Sequence, residues 1–284
     1  MTKDQMFTRR HLLTGAAALL GAAGTAGTAA LLIGDGASGP APGALAPAGG
    51  PGARPALKPS TYRLRPIAGY GQPVRRRTLV PAAVRREPFL RVDGRGRSMV
   101  LSFDDGPDPR YTPDILRILR HHDVRAIFFV CGEMAVQHKD LLREMADDGH
   151  VVGNHTWSHP LLTTLSRPRI HAEMARTSEI IEKEYGEPPL WFRAPYGAWN
   201  RAAFRFGAAL GMEPLGWTVD TLDWRTPGAR TIAERVEDGA GPGVVVLSHD
   251  AGGDRSQSVE ALRDYLPELL ESGYRITVPQ RRYA

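Results

Sequence analysis

Met99-Val100-Leu101-Ser102-Phe103-Asp104-Asp105-Gly106-Pro107 runs from an apolar triplet into paired carboxylates and a turn. The apolar run reads as a buried strand. Gly106-Pro107 ends it and fixes both aspartates at the strand's C-terminal edge. Two adjacent carboxylates there are unfavourable unless something positive meets them. Taken alone, the stretch reads equally well as a solvated Asp-Gly turn. The rest of the chain decides between the two readings.

Outward from this strand, Met99 to Phe103, the pattern becomes regular. A helix follows, with Thr112 as N-cap, Pro113 at its first position and Ile115, Leu116 and Leu119 on its apolar face. Strand Ala126–Val130 and a helix over Val136–Asp147 come next, then strand His150–Gly153 and a helix over Arg169–Tyr185. Trp191-Phe192 is a short strand before a helix over Arg201–Leu210. A strand over Glu213–Val219, a helix over Ile232–Asp238 and the apolar strand Val244–Leu247 continue the series. A helix over Gln257–Ser272 and a last strand, Tyr274–Val278, close it. This alternation is the pattern of a parallel α/β sheet, either a barrel or an open doubly wound sheet. No Gly-rich phosphate loop follows the first strand, which disfavours a nucleotide fold.

Polar clusters recur at the predicted strand ends. Asn154-His155-Thr156-Trp157-Ser158-His159 follows the third strand, and its two histidines four apart have metal-ligand spacing. Arg193-Ala194-Pro195-Tyr196, then Asp220-Thr221-Leu222-Asp223-Trp224, then Leu247-Ser248-His249 follow later strands. In parallel sheets and barrels, sites form at this edge. His121, His122, His138, His150 and His171 lack that placement and read as ordinary surface or helix residues.

The five clusters, in this order over about residues 98–278, resemble the motifs of the polysaccharide deacetylases, metal-dependent carbohydrate esterases that share a homology domain with the nodulation deacetylases. The resemblance implies a distorted (β/α)7 barrel. It implies that Asp104 is the general base and that Asp105, His155 and His159 hold a divalent metal, most often zinc. Arg193 would hold Asp104 in place, and the Tyr196 backbone N–H would help stabilise the oxyanion. His249 would be the general acid, tuned by Asp223, and Trp224 and Leu247 would line the pocket for the acetyl methyl. No motif residue is missing. The chemistry agrees independently: amide hydrolysis needs an activated water, a polarised carbonyl and a proton for the leaving nitrogen.

The implied function is removal of N-acetyl groups from an extracellular glycan, N-acetylglucosamine in peptidoglycan or a chitin-like polymer. The alternatives are an O-acetyl esterase on xylan or another polysaccharide, and a non-catalytic wall-binding protein with a structural metal. Intact Asp104 and His249 count against mere binding, which needs neither. Trp157 and Trp199 read either as sugar-stacking platforms or as packing residues.

Before Ser98 the composition changes. Thr8-Arg9-Arg10-His11-Leu12-Leu13 precedes a mildly apolar stretch to Ile33. Residues 1–33 therefore resemble a twin-arginine export signal, with a short membrane anchor as the alternative. Ala44-Leu45-Ala46 is a candidate cleavage site, and cleavage stays open. Residues 34–60 are Gly, Ala and Pro with little else, a linker by composition. Residues 61–97 carry 10 Lys/Arg against 2 Asp/Glu, whereas the catalytic segment 98–284 carries 21 against 27. This basic arm of unassigned role packs on the acidic segment, is solvated, or meets an anionic wall polymer. Nothing interleaves aromatic and basic residues as nucleic-acid binding would. A single cysteine, Cys131, excludes an internal disulfide and reads as a buried strand-end residue.

Overall fold

A computed structural model describes residues 80–93 and 96–281. The predicted signal, the linker and most of the basic arm lie outside these residues.

The sheet is built around β1 (Ser98–Asp104), whose residues are all buried. Met99, Leu101 and Phe103 face the outer helical layer, where they join Phe128, Leu116, Leu262 and Leu266 in the main core. Val100 faces inward, with Ile127, Phe129, Trp191 and Val245. By the two-residue period of a strand, Ser102 and Asp104 share that inner face. A strand covered on both faces must be apolar throughout or compensate each polar residue. The sequence of β1 does the first up to Leu101 and the second from Ser102.

The other elements follow in chain order. They are α1 (Thr112–His121), β2 (Ile127–Val130), α2 (Gly132–Gln137), α3 (Lys139–Asp147), β3 (Val151–Asn154) and α4 (Arg167–Tyr185). Then come β4 (Trp191–Phe192), α5 (Arg201–Ala209), β5 (Glu213–Pro214), β6 (Val219–Asp220), α6 (Ala229–Asp238), β7 (Val245–His249), α7 (Ser256–Glu271) and β8 (Arg275–Ile276). The strand order is β5-β4-β3-β2-β1-β7-β6, with β8 pairing β1 off this path. All pairs are parallel. The sheet curls into a distorted barrel with helices outside, the α/β class expected.

Three local expectations need correction. The strand expected over Glu213–Val219 is two strands, β5 and β6, at opposite ends of the sheet. Between them Leu215-Gly216-Trp217 crosses the open seam of the barrel, bonded to residue 89: Phe89 N–H donates to Pro214 O at 2.9 Å and Gly216 N–H to Phe89 O at 2.7 Å. Local apolar content cannot distinguish a strand from such a crossing. The helix expected over Val136–Asp147 is α2 and α3, separated by His138 in a non-helical conformation. Gly132 begins α2 and packs against the Trp157 ring, where a Cβ would lie 2.3 Å from the nearest ring atom. Thr112 is the first residue of α1 rather than its cap, which is Tyr111. Its hydroxyl is engaged by Asp250 instead.

Residues just before β1 also pack on the barrel. Phe89 bridges to Leu215 and Arg91 to Val244, Phe89 stacks edge-on against Trp191, and Arg85 pairs with Glu213.

Candidate active site

The register brings the polar strand ends together. Asp104 on β1 is the direct partner of His249 on β7. Val130 pairs with Asn154, and Asn154 with Phe192, so His155 and Arg193 emerge one residue further along.

Asp105, His155 and His159 present ligand atoms that all lie within 4.8 Å of one another. Asp105 Oδ1 is 3.4 Å from His155 Nε2 and 3.2 Å from His159 Nε2. That oxygen is buried and has no hydrogen-bond partner among the described residues. Burial works to raise the Asp105 pKa, but the adjoining imidazole of His155, with His249 and His159 beyond it, brings it down to about 2. His155 Nδ1 lies 2.9 Å from the Arg193 carbonyl. Donation there leaves Nε2 with its lone pair turned toward Asp105, the usual outer support of a metal-bound histidine. An orphaned carboxylate oxygen beside two imidazole nitrogens fits a divalent cation with nitrogen and oxygen ligands.

Asp104 is buried beside the cluster, its Oδ2 3.7 Å from His155 Nε2. Its other oxygen accepts from Arg193 Nη1 at 2.7 Å. Arg193 is fully buried. It also donates to Ser102 Oγ at 2.9 Å, Leu215 O at 3.1 Å and Gly216 O at 2.9 Å. Burial pulls its pKa below the usual arginine value while Asp104 opposes that pull. Arginine stays charged through such shifts. The guanidinium stacks 4.2 Å over the Phe129 ring.

On the other side of the cluster, His249 Nδ1 lies 2.6 Å from Asp223 Oδ1, and the His249 backbone N–H donates to Asp223 Oδ2 at 2.8 Å. Ser258 Oγ donates to the same Oδ2 at 2.7 Å. Burial works to lower the His249 pKa, but the Asp223 hydrogen bond and charge, with Asp105 and Asp104 behind them, lift it to about 9. Asp223 moves the opposite way: burial raises it, and its bonds to His249 and Ser258 bring it below the usual carboxylate range.

Asp104, Asp105, His155, His159 and His249 line one cleft of about 660 Å³ together with Tyr196, Trp224, Leu247, Trp157, Trp217 and Asp220. Tyr196 is 68% exposed and meets the His159 ring edge-on at 4.6 Å. Trp224 is 48% exposed at the rim, whereas Leu247 is buried at the wall. Arg193 lies beneath the cleft and Asp223 behind His249. Asp105, Thr156, His159 and Tyr196 all have positive φ without being glycine. Such backbone is held at about 1–3 kcal/mol per residue and gathers at functional sites. Of the two tryptophans weighed from sequence, Trp157 lines the cleft. Trp199 packs against Phe192 and Phe204 instead.

Two supporting carboxylates escaped the sequence reading. Asp250 accepts from Gly106 N–H at 3.1 Å and Thr112 Oγ1 at 2.6 Å, and its own N–H donates to Asp104 O at 3.1 Å. Burial lifts its pKa to about 7. The only signal for it was its place directly after His249. Glu173, in the middle of α4, accepts from the backbone of Trp157 and Ser158; nothing local marks it.

Residues 91–215 match the family model for polysaccharide deacetylase. The chain is 37% identical over 183 residues to a peptidoglycan-N-acetylglucosamine deacetylase of Bacillus cereus, covering 64% of this chain and 66% of that protein. It is 35% identical over 211 residues to a chitooligosaccharide deacetylase of Rhizobium leguminosarum bv. trifolii, covering 70% of this chain and 98% of that one. A crystal structure of the Bc1960 peptidoglycan N-acetylglucosamine deacetylase superposes with a TM-score of 0.64 at 35% identity, covering 66% of this chain and 89% of that chain.

Proposed function

This chain belongs to the polysaccharide deacetylase family, and from that premise we propose that it hydrolyses N-acetyl groups on an extracellular glycan, N-acetylglucosamine in peptidoglycan or a chitin-like polymer. One observation carries the reading. The Asp105-His155-His159 cluster is flanked in a single cleft by a buried carboxylate, Asp104, and by a histidine, His249, whose pKa lies near 9.

Asp105, His155 and His159 would hold the metal, and zinc suits the donor set. When bound, such a metal polarises a carbonyl and acidifies a water. Asp104, oriented by Arg193, takes a proton from the attacking water. His249, a cation at neutral pH, gives its proton to the leaving nitrogen through Nε2, because Nδ1 is committed to Asp223. The Tyr196 backbone N–H donates to the developing oxyanion. Leu247 and Trp224 exclude water around the acetyl methyl.

The twin-arginine-like stretch Thr8-Arg9-Arg10 supports export to the cell surface or beyond, with residues 34–60 as a linker to the catalytic segment. No helix among the described residues is long and apolar enough to cross a membrane. Export should fail when Arg9 and Arg10 become Lys. Normal export of that double variant counts against the route.

The deciding experiment is acetate release by the metal-loaded protein from N-acetylated and O-acetylated glycans. Release from chitooligosaccharide or peptidoglycan supports the reading. Release from acetylated xylan alone replaces it with an O-acetyl esterase, and release from none leaves a binding protein.

A further inference from the structure

We propose that Glu173, on α4, is the positioning residue for the metal ligand His159. The inference rests on the deacetylase reading only in taking Asp105, His155 and His159 as a metal site.

The two histidines are held differently. His155 directly follows β3; its N–H donates to Val130 O at 3.0 Å, and its Nδ1 is engaged by the Arg193 carbonyl. For His159 no partner of the second ring nitrogen is found among the described residues. Among the described residues its ring meets the rings of His155 and Tyr196 and the Asp105 carboxylate. The direction of its imidazole is therefore set by the backbone of Thr156-Trp157-Ser158. That backbone is unfavourable by itself, with φ of 71° at Thr156 and 54° at His159.

Glu173 is what holds it. The consecutive N–H groups of Trp157 and Ser158 converge on one oxygen, Oε2, at 2.9 Å each. Ser158 Oγ donates to the other, Oε1, at 3.0 Å. Successive N–H groups turned to one side form a concavity suited to an anion, and a carboxylate fills this one. The carbonyls of the loop are met from the other side, Thr156 O by Gly132 N–H at 3.0 Å and Trp157 O by Glu133 N–H at 3.1 Å. Arg176, one helical turn beyond Glu173, stacks 3.8 Å over the Trp157 ring and keeps α4 against the loop. Without Glu173, two N–H groups lose their shared acceptor and the left-handed His159 loses its support.

The test compares full-length wild type with Glu173→Ala, Glu173→Gln and Glu173→Asp. Zn2+ affinity is measured by competition with a chromophoric chelator, and site geometry by the visible absorption of the Co2+-loaded protein. Glu173→Ala should bind Zn2+ about 10- to 100-fold more weakly, the usual loss on removing an outer support of a ligand, and its Co2+ bands should shift. Glu173→Gln should stay close to wild type, because an amide oxygen still accepts both N–H groups and the amide nitrogen can donate to Ser158 Oγ. If Glu173→Ala does not fold, Glu173→Asp, one methylene short, is held to the same criteria. Wild-type Zn2+ affinity and Co2+ bands in the variant, even with a lowered melting temperature, would reduce Glu173 to a loop stabiliser and overturn the proposal. So would a Gln variant as impaired as Ala. Wild-type protein that binds no divalent metal would instead overturn the deacetylase reading. Wild type that binds metal but releases no acetate would count against the substrate and leave Glu173 in its role.

Discussion

Arg193 Nη1 lies 2.7 Å from Asp104 Oδ1, and both side chains are buried. Removing one partner of a buried pair strands the other charge, at about 3–5 kcal/mol. Arg193→Ala should therefore lower stability by roughly that amount and reduce kcat/KM by at least about 100-fold. Arg193→Lys keeps the charge but loses the fork that also reaches Ser102, Leu215 and Gly216, so its effect should be intermediate. Adding Asp104→Asn to Arg193→Ala removes the stranded charge and should recover stability without recovering activity. Denaturant melts beside steady-state kinetics check this; a double variant no more stable than Arg193→Ala would contradict it.

The orphaned Asp105 Oδ1 makes a prediction about metal removal. Chelation should abolish activity, and one equivalent of divalent metal per chain should restore it. Because metal binds the folded site, its addition should also raise the melting temperature. At about 100 times Kd the stabilisation is about 2.7 kcal/mol. His155→Ala should lose most of the bound metal, most of the activity and most of this shift. Full turnover in protein shown by elemental analysis to be metal-free would refute the assignment.

Gly106 sits against Asp250 so closely that a Cβ would lie 2.1 Å from Asp250 Oδ2. That carboxylate is held by the Gly106 N–H and the Thr112 hydroxyl, so moving away would cost both bonds. Gly106→Ala should cost about 1–3 kcal/mol of stability by overpacking and should displace the turn that carries Asp104 and Asp105. Thermal melts and kcat should fall together. A variant with wild-type kcat would show the turn to be more tolerant than this packing allows.

The contact between Gly106 and Asp250 also marks where sequence reading stopped. Asp104, Asp105, His155 and His159 were legible because each sits within a few residues of a strand end. Turn chemistry and ligand spacing are local signals. Arg193 and Asp223 stand out at strand ends too, but their partners, Asp104 and His249, follow only from resemblance to a family, since those partners lie far along the chain. Asp250 and Glu173 were not reached at all. Each serves a backbone N–H in another element, and a carboxylate that accepts from a distant backbone leaves no periodicity behind. The same limit joined β5 and β6 into one strand. Their separation follows from the seam of the curled sheet and its contact with Phe89, which no window of neighbouring residues contains.

Proton transfer by His249 gives the sharpest pH prediction. His249 acts as an acid only while protonated, and its pKa is raised to about 9, chiefly by Asp223 against the opposing effect of burial. Activity should therefore persist through neutral pH and decline on the alkaline side as His249 loses its proton, the falling limb of a bell. A bound cation offsets Asp105 and Asp104, so in the loaded enzyme Asp223 is the main support of the imidazolium. Asp223→Asn removes the charge yet keeps an acceptor for Nδ1. The falling limb of kcat/KM should then move to lower pH, and the rate at neutral pH should drop, because a smaller fraction of His249 is protonated there. Asp104→Asn should behave differently, losing activity at every pH while keeping its metal, since Asp104 is outside the ligand set. The pH profiles of kcat/KM for the metal-loaded variants separate the two roles. A falling limb left in place by Asp223→Asn, or substantial turnover by Asp104→Asn, would contradict the assignment of acid and base.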